Sequence, residues 1–182
     1  MSVKLKVTAV SGGVGRPSRT LALLEALTSR FAQRIEIDLH LIELGQISAK
    51  LGAAASRSEL PEAIQNDITA IETADFLLVA TPVYRASYTG IFKHLFDFVH
   101  QDSLIDVPVL LAATGGSDRH ALIIDHQLRP LFSFFQALTL PIGVYGTEAD
   151  FVDYKVASKA LDERIELAVS RALPFLKPRS GQ

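Results

Sequence analysis

The residues of this chain best suited to hold a ligand lie near its start, in Val7-Thr8-Ala9-Val10-Ser11-Gly12-Gly13-Val14-Gly15-Arg16-Pro17-Ser18-Arg19-Thr20-Leu21. An apolar run ends at Ser11, a glycine-rich turn follows, and a helical pattern opens at Pro17 or Ser18. Glycines let such a backbone curl until its N–H groups point inward, and a helix N-terminus adds a partial positive charge. Ser11, Ser18 and Thr20 supply hydroxyl donors, while Arg16 and Arg19 can neutralise a dianion. The combination reads as a cradle for a phosphate, set against the plainer alternative of a strand-to-helix turn with surface arginines.

The kind of phosphate is narrowed by what the loop omits. A nucleoside triphosphate loop ends in Lys-Ser/Thr, whereas Arg16-Pro17-Ser18 follows the last glycine here, which disfavours magnesium-dependent ATP or GTP chemistry. Gly13 and Gly15 give G-x-G, but Ser18 stands where a dinucleotide fingerprint needs its third glycine. A turn rich in hydroxyls suits a terminal phosphate, as on a mononucleotide, better than a buried pyrophosphate.

Elements able to position this loop alternate along the chain. Strands are expected over Leu5 to Val10, Ile35 to Ile42, Phe76 to Thr81, Val107 to Ala113 and Leu140 to Tyr145. Helices are expected over Ser18 to Phe31, Leu60 to Thr73, Thr89 to Val99, Arg119 to Ala137 and Tyr154 to Leu176. The third and fourth strands are continuously apolar, the mark of central strands covered on both faces. Strict alternation predicts an α/β, flavodoxin-like doubly wound fold. Its five-stranded parallel sheet takes the order 2-1-3-4-5, with helices on both faces and the ligand at the carboxyl ends of the strands. Residues 1–176 form one domain on this reading, 177–182 a frayed tail, and Leu44 to Ser58 either a mobile loop or a plain connector.

Composition bounds the partners. The 182 residues carry 18 basic and 20 acidic side chains, a formal net charge of −2, and no basic footprint for nucleic acid. Zero cysteines exclude disulfides, thiolate nucleophiles and Cys-ligated metals, and fit a reducing cytoplasm. No run approaches membrane-spanning length, and the first residues lack a basic-then-apolar signal, so a soluble, cytoplasmic protein is expected. At 48% hydrophobic residues and a mean hydropathy of +0.25, part of the apolar surplus is expected at a subunit interface.

Two further turns fall at the same expected sheet edge. In Thr81-Pro82-Val83-Tyr84-Arg85-Ala86-Ser87-Tyr88-Thr89-Gly90, Pro82 stiffens the strand exit and two tyrosines lie in a loop. In Ala113-Thr114-Gly115-Gly116-Ser117, paired glycines permit close backbone approach to a polar ring edge. One turn for a phosphate and two for a planar heterocycle describe a mononucleotide flavin site.

Ser11-Gly12, Arg16-Pro17-Ser18-Arg19-Thr20, Ala80-Thr81-Pro82-Val83-Tyr84 and Ala113-Thr114-Gly115-Gly116 with His120 together resemble the NAD(P)H-dependent FMN reductases. The likeness is nearest to the reductase components of two-component methanesulfonate and alkanesulfonate monooxygenases. It implies that Ser11, Arg16, Ser18, Arg19 and Thr20 hold the FMN phosphate, and that Pro82, Val83, Tyr84, Thr114, Gly115 and Gly116 hold the isoalloxazine. It tips His120 toward flavin contact rather than a turn cap. It also implies NADH or NADPH as hydride donor and a flavin-dependent monooxygenase as acceptor of reduced FMN. Hydride transfer between stacked rings asks mainly for orientation, and no Ser-His-Asp spacing, paired carboxylates or metal pattern stands out, so no catalytic residue and no metal ligand is named. An FMN-retaining quinone, azo or metal-oxyanion reductase is the alternative enzyme, and a flavodoxin-type electron carrier the alternative class, disfavoured by the balanced surface charge.

The expected helix 119–137 carries an internal irregularity. Pro130 lacks an N–H and presses on the carbonyl of His126, which predicts a kink or a π-bulge. Leu122, Ile123, Ile124, Leu128, Leu131, Phe132, Phe134, Phe135 and Leu138 make this segment apolar on most sides, pointing to a dimer or tetramer built through it. Related reductases carry a π-helix at the tetramer interface here, with an inserted Tyr in some members, and His126 stands at the matching position.

Overall fold

The computed structural model describes residues 4–179. Three strands form the centre: β1 (Leu5–Ser11), β3 (Phe76–Pro82) and β4 (Pro108–Gly115), each nearly continuously buried. Strand β2 (Ile37–Glu43) pairs parallel to β1 at the edge, giving the order β2-β1-β3-β4-β5. The expected sheet order holds. Its fifth position, however, is shared by two short strands, β5 (Leu138–Thr139) and β6 (Val144–Thr147), both parallel to β4. Pro141 lies in the gap, and a residue without an N–H cannot continue the ladder.

Two cores lie on opposite faces of the sheet. On one face α1 (Arg19–Ala32) and α6 (Lys159–Ala172) bury Leu23, Leu24, Leu27, Phe31, Ile165 and Val169 against Val7, Ala9, Leu78 and Leu110. On the other, α2 (Leu44–Ala53), α3 (Glu62–Glu72), α4 (Gly90–Asp97) and α5 (Arg129–Phe134) bury Leu44, Ile68, Phe92, Phe96 and Phe132 against Val10, Val79 and Leu111. Each of α1, α4 and α6 is capped at its N-terminus by the hydroxyl that precedes it, Ser18, Thr89 and Ser158, each accepting from an amide three residues on.

Several segments differ from the sequence reading. Residues 44–58, read there as a mobile loop or a plain connector, contain α2 and run into a 3₁₀ turn at Arg57–Glu59. Leu44, Ile47 and Leu51 supply its core stripe, and His94 Nε2 lies 3.0 Å from both the Leu51 and Ala54 carbonyls at its C-terminus. The last helix starts at Lys159, because Phe151–Val152 (β7) and Lys155–Val156 (β8) first form a hairpin. Arg179, within the expected tail, donates its N–H to Asp75 and its guanidinium to the Glu72 and Ser103 carbonyls; 180–182 lie outside the described residues. The segment 119–137 is a 3₁₀ turn (Asp118–His120), a π-helix (Ile124–Leu128) and then α5, so the irregularity at His126 takes the π form.

The hairpin hangs from one carboxylate. Asp150 accepts from the Thr147 N–H and hydroxyl at 2.7 and 2.8 Å and from the Ser158 hydroxyl at 2.5 Å. Burial pushes this carboxyl up, and the three hydrogen bonds more than offset it, leaving its pKa below the usual range. A depressed folded-state pKa contributes stability that is present above the unfolded value of about 3.9 and is lost as pH falls through the folded one. Thermal unfolding from pH 7 to pH 3 should therefore show a loss below about pH 4 that is smaller in Asp150→Asn.

Candidate functional site

Three turns meet at the carboxyl edge of the sheet, as the topology requires. They enclose an open hollow of about 260 Å³ lined by residues 13–15 and 17–20, by Pro82, Val83 and Tyr84, and by Thr114, Gly115 and Gly116. The first turn supplies polarity. Ser18 caps α1 by accepting from the Leu21 amide at 3.2 Å, so the first-turn amides and the Arg19 and Thr20 side chains collect at one wall. The Thr20 hydroxyl, buried, is hydrogen-bonded to that of Thr114 at 2.7 Å, which ties the phosphate-type loop to the end of β4.

The opposite wall is stiff and largely apolar. Val83 donates its N–H to the Thr114 carbonyl at 2.8 Å, joining the second and third turns. Tyr84 and Ser87 exchange backbone hydrogen bonds around Arg85 and Ala86, both at positive φ (51° and 66°), the geometry of a type I′ two-residue hairpin. The Ser87 hydroxyl reaches Gln127 in the π-helix at 3.1 Å, so this wall is braced by the segment 119–137. Behind the third turn, the Tyr145 hydroxyl donates to the Ser117 carbonyl at 2.7 Å; burial, then the nearby Asp118 charge, push its pKa up and keep it a donor.

Three residues singled out from the sequence lie outside this hollow. Ser11 is buried and Arg16 is exposed beside a smaller space of about 200 Å³ that adjoins the hollow through Gly13, Val14, Gly15 and Ser18, where Arg16 grips Glu43 through Nε (2.9 Å) and its terminal nitrogen. His120 closes the exposed 3₁₀ turn and does not line the hollow. Conversely, sequence reasoning missed residues that shape the site. Thr89 donates to the Gly12 carbonyl at 3.1 Å, Gly45 abuts the Val14 carbonyl, and Glu148 pairs with Arg19.

The donor set fits a phosphate ester: a guanidinium, two hydroxyls and helix-start amides on one wall of an open hollow. Beside it, a proline-stiffened strand end and a glycine pair suit the edge of a flat ring. Gly116 and Gly15 face open space, with no atom within 4 Å of where a Cβ would stand, so neither crowds the opening.

Comparison with known proteins decides the family: the sequence pattern described as NADPH-dependent FMN reductase matches residues 5–151. The chain belongs to that family. It is 62% identical over 175 residues to the NADH-dependent FMN reductase SfnE of Pseudomonas putida, covering 96% of this chain and 94% of that one. An FMN reductase (NADPH) of Pseudomonas aeruginosa is 57% identical over 180 residues, covering 99% and 97%. Among solved structures, an oxidoreductase from Corynebacterium diphtheriae superposes with a TM-score of 0.87 at 30% identity, covering 98% and 100%. The reductase thus takes FMN and a nicotinamide nucleotide as its ligands and is an oxidoreductase. Among the described residues, no helix is long and apolar enough to cross a membrane.

Proposed function

We propose that this FMN reductase seats the FMN phosphate at Ser18, Arg19 and Thr20 and the isoalloxazine along Pro82–Tyr84 and Thr114–Gly116. Reduced FMN then leaves for a flavin-dependent sulfonate monooxygenase. One observation carries the reading: phosphate donors and a ring platform, on turns about 60 to 100 residues apart, share a single open hollow. When bound, FMN supplies the acceptor for hydride from NADH or NADPH. The chain's own share is orientation, with the Thr20–Thr114 bond fixing the two walls against each other and the Val83–Thr114 bond holding the second and third turns together. The monooxygenase partner is supported by the likeness of the sequence to reductase components of two-component sulfonate systems. The lack of cysteine supports a cytoplasmic setting.

Steady-state oxidation of NADH and of NADPH with FMN, FAD and riboflavin tests this reading. A strong preference for FMN over riboflavin is expected, and equal rates would remove the phosphate assignment. Yellow protein that turns over quinones without releasing flavin would favour an FMN-retaining reductase instead.

We also infer a homo-oligomer, dimer or tetramer, built through 119–137. Ile124, Leu128, Phe132 and Phe135 are buried within the subunit, yet Phe134 is 65% and Leu122 62% exposed. Phe134 borders a groove of about 690 Å³ that places Tyr88, Phe96 and Leu131 beside Lys93, Asp97 and His100. Phe134→Asp is expected to shift sedimentation to a smaller species while leaving the monomer folded, since the side chain makes little use of the subunit core.

A further inference from the structure

Arg19 is the cation of the phosphate wall, and it is already engaged. Its guanidinium is paired with the Glu148 carboxylate and lies 5.6 Å from the centroid of the Tyr154 ring. Glu148 and Tyr154 come from the far end of the chain, in the short turn Glu148–Asp150 and the β7–β8 hairpin, and neither lines the hollow itself. The carrier of this carboxylate is stiff. Asp150 closes the turn by accepting from Thr147 and Ser158, and the Ala157 and Ser158 amides donate to the Asp150 carbonyl at 2.8 and 3.2 Å. Asp153 and Tyr154 occupy left-handed conformations (φ 47° and 56°) at the hairpin tip, which presents the tyrosine ring to the guanidinium.

We propose that Glu148 is an affinity-setting residue that competes with the FMN phosphate for Arg19 and thereby speeds flavin release. This rests on the reading that the phosphate sits at Ser18–Thr20. Glu148 holds one terminal nitrogen of Arg19, so a phosphate that takes the guanidinium edge carrying that nitrogen displaces the Glu148 contact, and its departure lets the contact re-form. The magnitudes suit a reversible exchange. Arg19 and Glu148 side chains are 38% and 63% exposed, and an ion pair that open to water is worth little, so a dianion with three acceptor oxygens can displace it. Tyr154 keeps the guanidinium on the wall during the exchange, because a cation over a ring face is held without consuming a hydrogen bond. For an enzyme whose product must leave, a built-in competitor lowers residence time without removing the donor that gives FMN its advantage over riboflavin.

The test is equilibrium titration of FMN and of riboflavin into the full-length protein, with Glu148→Gln, Arg19→Ala and the double variant compared at about 0.1 M salt. Glu148→Gln is expected to bind FMN about three- to fivefold tighter, with riboflavin unchanged and a matching decrease in the FMN dissociation rate by stopped flow. In the Arg19→Ala background the same substitution should change FMN affinity much less. Unchanged or weaker FMN binding in Glu148→Gln would overturn the proposal. So would equal tightening for riboflavin, or an undiminished gain without Arg19, which would mark a field effect rather than competition. A wild-type protein with no preference for FMN over riboflavin would instead refute the phosphate assignment beneath it.

Discussion

Arg19→Ala is expected to raise the KM for FMN about ten- to a hundredfold while riboflavin turnover stays nearly constant. A hydrogen bond to a charged group is worth about 1.5–3 kcal/mol, and the variant also leaves Glu148 facing the phosphate without a cation between them. Steady-state kinetics with both flavins reads the difference directly, since riboflavin lacks the group Arg19 would hold. Arg16 is the internal control. Its guanidinium is committed to Glu43 and does not line the main hollow, so Arg16→Ala should move the FMN KM far less, although the sequence presents the two arginines as equivalents. A larger loss in Arg16→Ala than in Arg19→Ala would place the phosphate in the smaller space instead.

That contrast shows where a sequence speaks and where it falls silent. The central strands are legible because burial on both faces leaves unbroken apolar runs, and their order then fixes which turns share an edge. Ser18, Arg19 and Thr20 are legible because capping and helix-start chemistry are local. What decides between Arg16 and Arg19 is not local. Glu43 lies at the end of the edge strand, and Glu148 lies 129 residues away, so each partner is brought in by the fold alone. The two tight hairpins escaped for a different reason. Arg85-Ala86 and Asp153-Tyr154 occupy φ > 0 positions where Asn-Gly or Asp-Gly would announce a type I′ turn, so the backbone takes that shape without its usual residues. The split of the fifth strand was written in Pro141, whose missing N–H matters only once that run is known to border β4.

The segment hidden most completely is α2, and it yields the sharpest structural contrast. Gly45 and Gly52 make this stretch look like a loop, and in an exposed helix replacing glycine by alanine gains about 0.5–1 kcal/mol. Gly52→Ala should show that gain as a higher unfolding temperature, because its added Cβ would meet only the Ile91 side chain at 3.6 Å. Gly45→Ala should do the opposite. Its Cβ would stand 2.8 Å from the Val14 carbonyl oxygen and 3.1 Å from the carbonyl carbon, backbone atoms of the ligand loop that cannot rotate aside. Overpacking of this kind costs about 1–3 kcal/mol. The loop that must yield is the one that presents Ser18 and Arg19, and a displacement near 1 Å at a positioning element costs on the order of a hundredfold in rate. Gly45→Ala is therefore expected to lower kcat/KM for FMN by at least about tenfold while Gly52→Ala leaves it unchanged. If both variants gained stability and kept full activity, α2 would not be the buttress of the phosphate loop.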